Sequence, residues 1–272
     1  MTSATYRERL SRVETYFDRT AVEAWSRLTS DAPVGRIRAT VRAGRDAMRA
    51  TLLSRLPADL TGRRLLDAGC GTGFAQADLL ARFPDAHAVA LDLSPAMLGK
   101  VSSPCCRIAG DLENLPLTDA SLDLYWSSLA VQWCDLATAL REAHRSLRPN
   151  GLVALASLGP ATFHELRHAF ADVDHYRHTL SFHSPDEIRK IAVNLGFATV
   201  NTKKGIKTAH YPDFKTLLRA VKAIGANQLG DGRRTSLMSR TTFLRAETAY
   251  EQLRTPAGLP LTYDVIYLYA SK

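Results

Sequence analysis

The chain has 272 residues, long enough for one large domain or a domain with a substantial insertion, and too long to depend on disulfide or metal staples. With 46% hydrophobic and 23% charged residues, its composition is that of a packed globular protein and argues against disordered, collagenous or coiled-coil chains. The net charge of +8 is unevenly spread: residues 201–245 hold ten basic and two acidic side chains, whereas 65–200 are mildly acidic. No apolar run reaches the ~18 residues of a membrane span. The stretch from Met1 to Glu8 lacks the apolar core of a secretory signal, so a cytoplasmic location is expected. Cys70, Cys105, Cys106 and Cys134 show no C-x-x-C spacing and no histidine in zinc-finger register. Four buried thiols are expected, with neither a metal site nor a disulfide framework.

Two helices are predicted first, over 6–28 and 36–56, because Val13, Phe17, Ala21, Trp25 and Leu28 recur at helical spacing. The stretch Asp31-Ala32-Pro33-Val34-Gly35 separates them. From Arg64 onward, short apolar runs alternate with helical patterns: 65–68, 88–92, 122–126 and 152–156. That alternation predicts βαβ units and a parallel sheet covered on both faces. A helix over 136–147 is expected to stop at Arg148-Pro149-Asn150-Gly151. Another should start at Ser184-Pro185-Asp186-Glu187, with a serine cap and two acids at the positive end of the dipole, and end near Gly196. Residues 197–208 and 263–269 read as strands, the latter from its β-branched and aromatic content. Between them, Phe214-Leu217-Leu218-Val221-Ile224 and Phe243-Ala246-Tyr250-Leu253 mark two amphipathic helices, an insertion over the sheet edge.

The chemistry concentrates in Leu65-Leu66-Asp67-Ala68-Gly69-Cys70-Gly71-Thr72-Gly73-Phe74, an apolar strand that runs into Gly-x-Gly-x-Gly and then a helix. Glycines at such positions let the chain turn tightly and let a ligand approach the main chain. The spacing differs from the G-x-G-x-x-G dinucleotide fingerprint. Asp92 ends the next apolar run, 19 residues after Gly73, where a carboxylate can accept hydrogen bonds from ribose hydroxyls. Asp111, in Gly110-Asp111-Leu112, could accept adenine amino hydrogens while Leu112 supplies backbone contact. Singly, each acid reads as a solvated loop residue. Following successive strands, the three converge on the carboxyl edge where open α/β sheets bind ligands.

These motifs, with Asp92-Leu93-Ser94-Pro95-Ala96-Met97-Leu98 and Gly110-Asp111-Leu112-Glu113-Asn114-Leu115-Pro116, resemble those of class I S-adenosylmethionine-dependent methyltransferases over nearly all of 64–272. The resemblance implies a Rossmann-like, mostly parallel seven-stranded α/β sheet with N-terminal helices and a helical insertion before the last strand. It divides the chain into an N-terminal helical segment closing over the cofactor (1–63), a core (64–209), a helical substrate lid (210–256) and a terminal core strand (257–272). It implies S-adenosylmethionine as methyl donor, held by Asp67, Gly69, Gly71, Gly73, Asp92, Leu93, Met97, Asp111, Leu112 and Ser127.

Three further stretches, Ser127 to Cys134, Leu217 to Ala226 and Tyr263 to Leu268, are similar to the malonyl-acyl-carrier-protein O-methyltransferase family of biotin synthesis. Members esterify the free carboxyl of a malonyl thioester so that fatty-acid synthase will elongate it. The stretch Val13 to Ala21, with Trp25, Leu28 and Arg36 to Arg42, instead resembles the N-terminus of magnesium-protoporphyrin IX O-methyltransferases, which implies a hybrid chain. Both families methylate carboxylates. A carboxylate is already ionised at pH 7, so no general base is expected, only alignment of oxygen, methyl and sulfur.

Arg219 is the first candidate to hold the substrate carboxylate, with Tyr211, Gln132 and Trp133 beside it. A solvated helix face is the other reading of Arg219, and helix packing the other reading of Trp133. The basic 201–245 stretch fits an acidic acyl-carrier protein steered by complementary charge, beside the plainer role of solubility. No nucleic-acid motif accompanies it. The alternative enzyme is a magnesium-protoporphyrin methyltransferase; the alternative of another class is a non-catalytic protein that binds the cofactor or RNA.

Overall fold

Seven strands form one sheet in the order β3-β2-β1-β4-β5-β7-β6, and only the last strand in sequence runs against its neighbours. The computed structural model describes residues 3–29, 35–223 and 238–272. Part of the expected first interruption, 31–34, lies outside the described residues, as do Ile224, Gly225, Ala226 and the basic Arg233 and Arg234.

In chain order the elements are α1 (Ser3–Thr15), a π-helical stretch (Tyr16–Ala21), α2 (Val22–Leu28) and α3 (Arg36–Leu53). The core follows with β1 (Arg64–Ala68), α4 (Phe74–Arg82), β2 (His87–Asp92), α5 (Pro95–Leu98), β3 (Cys106–Ala109) and β4 (Leu122–Ser128). A 3-10 turn (Val131–Trp133), α6 (Leu136–Ser146), β5 (Leu147–Leu158), α7 (His164–Phe170) and α8 (Pro185–Asn194) come next. The chain closes with β6 (Ala198–Tyr211), α9 (Phe214–Ala223), α10 (Arg240–Glu251) and β7 (Leu259–Ser271).

Side chains alternate between the two faces of the sheet, which is why its strands read as continuous apolar runs. Leu66, Tyr125, Val153 and Leu268 face α6 and α8. Leu65, Trp126, Ala154 and Tyr267 face α3 and α4. A satellite core joins α7, α9 and α10 to the ends of β6 and β7 through Phe170, Phe214, Tyr250 and Leu259. The expected insertion thus packs on α7 as well as on the sheet edge.

Several boundaries differ from the sequence reading for identifiable reasons. The single helix expected over 6–28 is broken by the π-helical stretch, where Asp18 turns toward α5. The proline at 149 does not delay the next strand, because β5 begins at Leu147 in register with Leu122 and a bulge absorbs the irregularity. β3 is too short, and carries Arg107, to show as an apolar run. The cysteines are all free, but only Cys70 is buried. Cys105 and Cys134 are half-buried and Cys106 is exposed, since it lies on an edge strand. Among the described residues, no helix is long and apolar enough to cross a membrane.

Three glycines bring the chain into place after β1. Gly69 has φ +73°, and a Cβ there would overlap the Ala130 methyl; at Gly73, φ +78°, a Cβ would lie 2.8 Å from Val101. Gly71, φ +55°, has open space where its Cβ would be. Two of them therefore serve close packing and one leaves room for a ligand. Gly69→Ala is expected to lower the unfolding free energy by about 2–4 kcal/mol, from the left-handed backbone and the clash together, which denaturant unfolding measures.

Candidate active site

The ends of β1 and β2 and the loop after β3 deliver their acids to one cavity at the carboxyl edge of the sheet, as the order of parallel strands requires. Asp67, Gly69, Gly71, Asp92, Leu93, Met97, Asp111 and Leu112 all line it, so eight of the ten expected cofactor residues come together. Counted out to its open mouth, the cavity encloses about 1160 Å3. Asp92 Oδ2 accepts a hydrogen bond from the Gly71 amide at 2.8 Å, and Oδ1 accepts one from the Ser94 amide at 2.9 Å. The carboxylate thereby fixes the glycine loop against the end of β2.

Gly73 and Ser127 are not in that wall. Gly73 caps α4 and packs on Val101. Ser127 is buried, and its hydroxyl donates to the Ala68 carbonyl at 2.8 Å, tying β4 to β1. Strand alternation gives the neighbouring Ser128 to the cavity instead.

Burial pushes the Asp67 carboxyl up to about 7; the nearby Asp92 charge adds to the shift and Arg49 opposes it. Burial also raises Asp92, against the pull of its amide donors. Asp67 Oδ2 has no hydrogen-bond partner among the described residues. An orphaned acid oxygen, a second buried carboxylate and a glycine with open space above it suit a ligand that carries positive charge and a nucleoside.

The N-terminal helices roof this cavity, and their straps reach three loops of its floor. Tyr6 donates its hydroxyl to Asp111, and the Arg9 guanidinium donates to both oxygens of Glu113 at 2.7 and 2.6 Å. Asp18 accepts from the Ser94 hydroxyl and the Ala96 amide, both at 2.9 Å, which caps α5 and holds its own carboxyl below the usual range. Thr29 and Thr72 share a hydrogen bond of 2.5 Å. Phe17 packs between Trp25 and Trp133, at 6.4 and 5.6 Å between ring centroids.

A second chamber adjoins the first, and Trp25, Arg45, Leu129 and Trp133 belong to both. Its other walls include Gln132, Tyr263, Val265 and Lys207. Arg45 projects from α3 with its guanidinium 4.5 Å from the centre of the Trp25 ring. Burial and the neighbouring Arg49 charge pull it down to about 10, so it stays charged at neutral pH. Among the described residues Arg45 makes no ion pair, whereas Arg49 pairs with Asp46 and Asp78. Gln132 Nε2 donates to the Leu129 carbonyl at 2.8 Å, and its Oε1 is left without a partner.

Sequence reasoning placed Gln132 and Trp133 at this chamber, where they are, and placed Arg219 and Tyr211 there as well. Arg219 is exposed and lines neither cavity, because Phe214, Leu217 and Val221 turn the apolar side of α9 inward and position 219 falls opposite. Tyr211 is buried behind the wall, next to Tyr263, which faces the chamber in its stead. Arg45 was readable in principle. It stands three and seven residues before Met48 and Leu52, a cation on the stripe that α3 buries.

The raised Asp67 carboxyl has a stability consequence. A group whose folded value exceeds its unfolded one helps most below the unfolded value, and that contribution is lost as pH rises through about 7. Asp67→Asn should therefore stabilise the ligand-free protein more at pH 8 than at pH 5, by about 2–3 kcal/mol. Thermal unfolding at the two pH values checks it.

Comparison with known proteins agrees with this geometry. A methyltransferase-domain family model matches residues 66–155. A Dechloromonas aromatica protein named malonyl-acyl-carrier-protein O-methyltransferase is 77% identical over 79% of this chain and 82% of its own. A Laribacter hongkongensis protein of the same name is 39% identical over 99% of this chain, the N-terminal helices included, and 91% of its own. Among solved structures, magnesium protoporphyrin IX methyltransferase from Synechocystis PCC 6803 with bound SAH superposes with a TM-score of 0.61 at 18% identity, covering 97% of this chain and 99% of its own. At that identity the likeness is one of fold, so the porphyrin alternative gains nothing from it. The relatives, the sheet and the glycine-loop cavity agree: the chain belongs to the malonyl-acyl-carrier-protein O-methyltransferase family, whose methyl donor is S-adenosylmethionine.

Proposed function

We propose that this chain esterifies the free carboxylate of a malonyl thioester borne by an acidic acyl-carrier protein, the opening step of the pimeloyl branch of biotin synthesis. The relatives' name supports the substrate, and Arg45 is the observation in this chain that carries it. A guanidinium drawn out of water with no acid to pair with is costly to keep, and a planar carboxylate is the anion that matches its fork. Its place on the wall common to both cavities puts a bound carboxylate at the junction between them.

S-adenosylmethionine supplies a methyl group on a cationic sulfur. Its transfer to a carboxylate oxygen would leave the carbon–sulfur bonding pair on sulfur and would need no proton moved, so the residues present have only to hold and align donor and acceptor. Two opposite charges vanish together, so a dry cavity favours the step. Phe17, Trp25 and Trp133 keep water from the junction. Asp92 is suited to the ribose, Asp111 and Leu112 to the adenine, and the orphaned Asp67 oxygen to the cationic end. The glycine loop gives the main chain its close approach. Arg45, Gln132 and Tyr263 hold the acceptor, and Trp133 packs against it. Positioning of this kind supplies roughly 7–11 kcal/mol of a barrier when geometry is good. Residues 1–63 act as the cover, since their straps end on the loops that bear Thr72, Ser94, Asp111 and Glu113.

For the carrier, the edge strand β6 presents Lys203 and Lys207 on one face, both exposed, and Lys207 reaches the acceptor chamber, while Lys204 pairs with Asp264. Complementary charge there would speed encounter with an acidic partner.

Two measurements test this reading. Arg45→Met should raise KM for the malonyl acceptor by about 10- to 100-fold, the loss of a charged hydrogen bond, and leave KM for S-adenosylmethionine within about twofold. A rise in the latter alone would assign Arg45 to the donor's own carboxylate, and binding without ester from any carboxylate acceptor would mark a non-catalytic binder. Raising ionic strength from about 0.05 to 0.5 M should weaken kcat/KM for the carrier substrate several-fold, because surface steering is screened over about a Debye length.

A further inference from the structure

The acceptor chamber has a second end. Leu180 and Phe182 close it on the side away from the glycine loop, and the same two side chains form the inner wall of an open hollow between α7 and the 171–183 loop. The two spaces are therefore neighbours across one apolar threshold.

Among the described residues, the hollow is lined by two arginines and one acid. Its acid, Asp174, is already taken: it accepts from His178 Nε2 at 2.8 Å and from the Tyr176 amide at 3.0 Å. Arg167 donates to the carbonyl oxygens of Pro160 and Thr162 and, at 3.3 Å, to the Thr179 hydroxyl, so its direct partners are neutral. Arg177 is exposed and makes no ion pair or hydrogen bond among the described residues. His178 lies flat on Phe170 with ring centroids 3.7 Å apart, which fixes the loop that carries Arg177.

A cation at the reaction junction, a chamber walled mostly by apolar side chains with Lys207 at one wall, and a second cationic cluster beyond a threshold describe a ligand with an anion at each end and a largely apolar arm between. We propose that the hollow seats the phosphate of a phosphopantetheine thioester, through Arg177 and Arg167, while its malonyl end occupies the chamber at Arg45. This rests on the function proposed above and adds a phosphate subsite to it. Carrier-bound and coenzyme-A-bound thioesters share that phosphate, so the test separates them.

Steady-state kinetics with malonyl-carrier, malonyl-coenzyme A and malonyl-pantetheine, which lacks the phosphate, are compared for the wild type, Arg177→Ala and Arg177→Lys. Arg177→Ala should raise KM about 5- to 20-fold for the substrates that hold a phosphate in the hollow, with kcat within twofold, and leave malonyl-pantetheine unchanged. Arg177→Lys should recover much of the loss. A rise for both phosphorylated substrates, or for coenzyme A alone, supports the subsite. An equal rise for malonyl-pantetheine, no rise at all, or a rise confined to the carrier overturns it, the last by assigning Arg177 to the carrier's protein surface. Calorimetric binding of phosphopantetheine against pantetheine needs no turnover. If the wild type methylates none of the three thioesters, the proposed function fails, and this arm still decides the subsite: phosphopantetheine bound no tighter than pantetheine sinks it.

Discussion

The site depends on a surplus of negative charge held where water is scarce. Asp67 and Asp92 end adjacent parallel strands and face the same cavity, so ionising one raises the cost of ionising the other. A protein seldom keeps such a pair for stability, because both carboxyls would be more comfortable in solvent. Their value lies in what they attract. A cationic ligand between them relieves burial and repulsion at once, and the relief becomes binding energy. The glycine loop is the other half of the arrangement, since the amide of Gly71 anchors Asp92 while its missing side chain leaves the space above it free.

The roof turns that local charge into a covered cavity. Tyr6 and Arg9 end on the acids that follow β3, and Asp18 ends on the helix that follows β2. The floor and the cover therefore share residues, so a change in one is felt by the other. Asp111 both receives the Tyr6 hydroxyl and faces the cavity. The second chamber is built on a stiffer mount. Arg45 and Arg49 project from the same helix that buries Met48 and Leu52 against the sheet, so their guanidiniums are placed by the core itself.

How much of this the sequence revealed follows from the range over which each feature is determined. The sheet, the glycine loop and the acids after β1 to β3 were legible, because strand, turn and charge recur there within a few residues. Gly73 and Ser127 belong to the same motifs yet serve packing, a distinction that rests on Val101 and Ala68 rather than on their own neighbours. Arg219 attracted attention as a cation on an amphipathic helix, but the side of α9 that turns inward is decided by Phe170 and Tyr250, far along the chain. Arg45 and Tyr263 come from opposite ends of the sequence and meet only in the folded chamber. The pairing of Tyr6 with Asp111 spans 105 positions, beyond any local pattern.

The π-helical stretch at Tyr16–Ala21 has an evolutionary corollary. Such a turn accommodates one more residue than an α-helical turn, typically as a single inserted position. Deleting one residue within it would restore regular winding and leave the turns on either side nearly in phase. Tyr6 and Arg9 would keep their aim, and the residue displaced would be Asp18, which the wide turn directs at α5. In this fold, the extra position in a six-residue stretch is what frees Asp18 to cap a helix of the floor, so loss of length there would remove that cap while sparing the grip of the N-terminal arm.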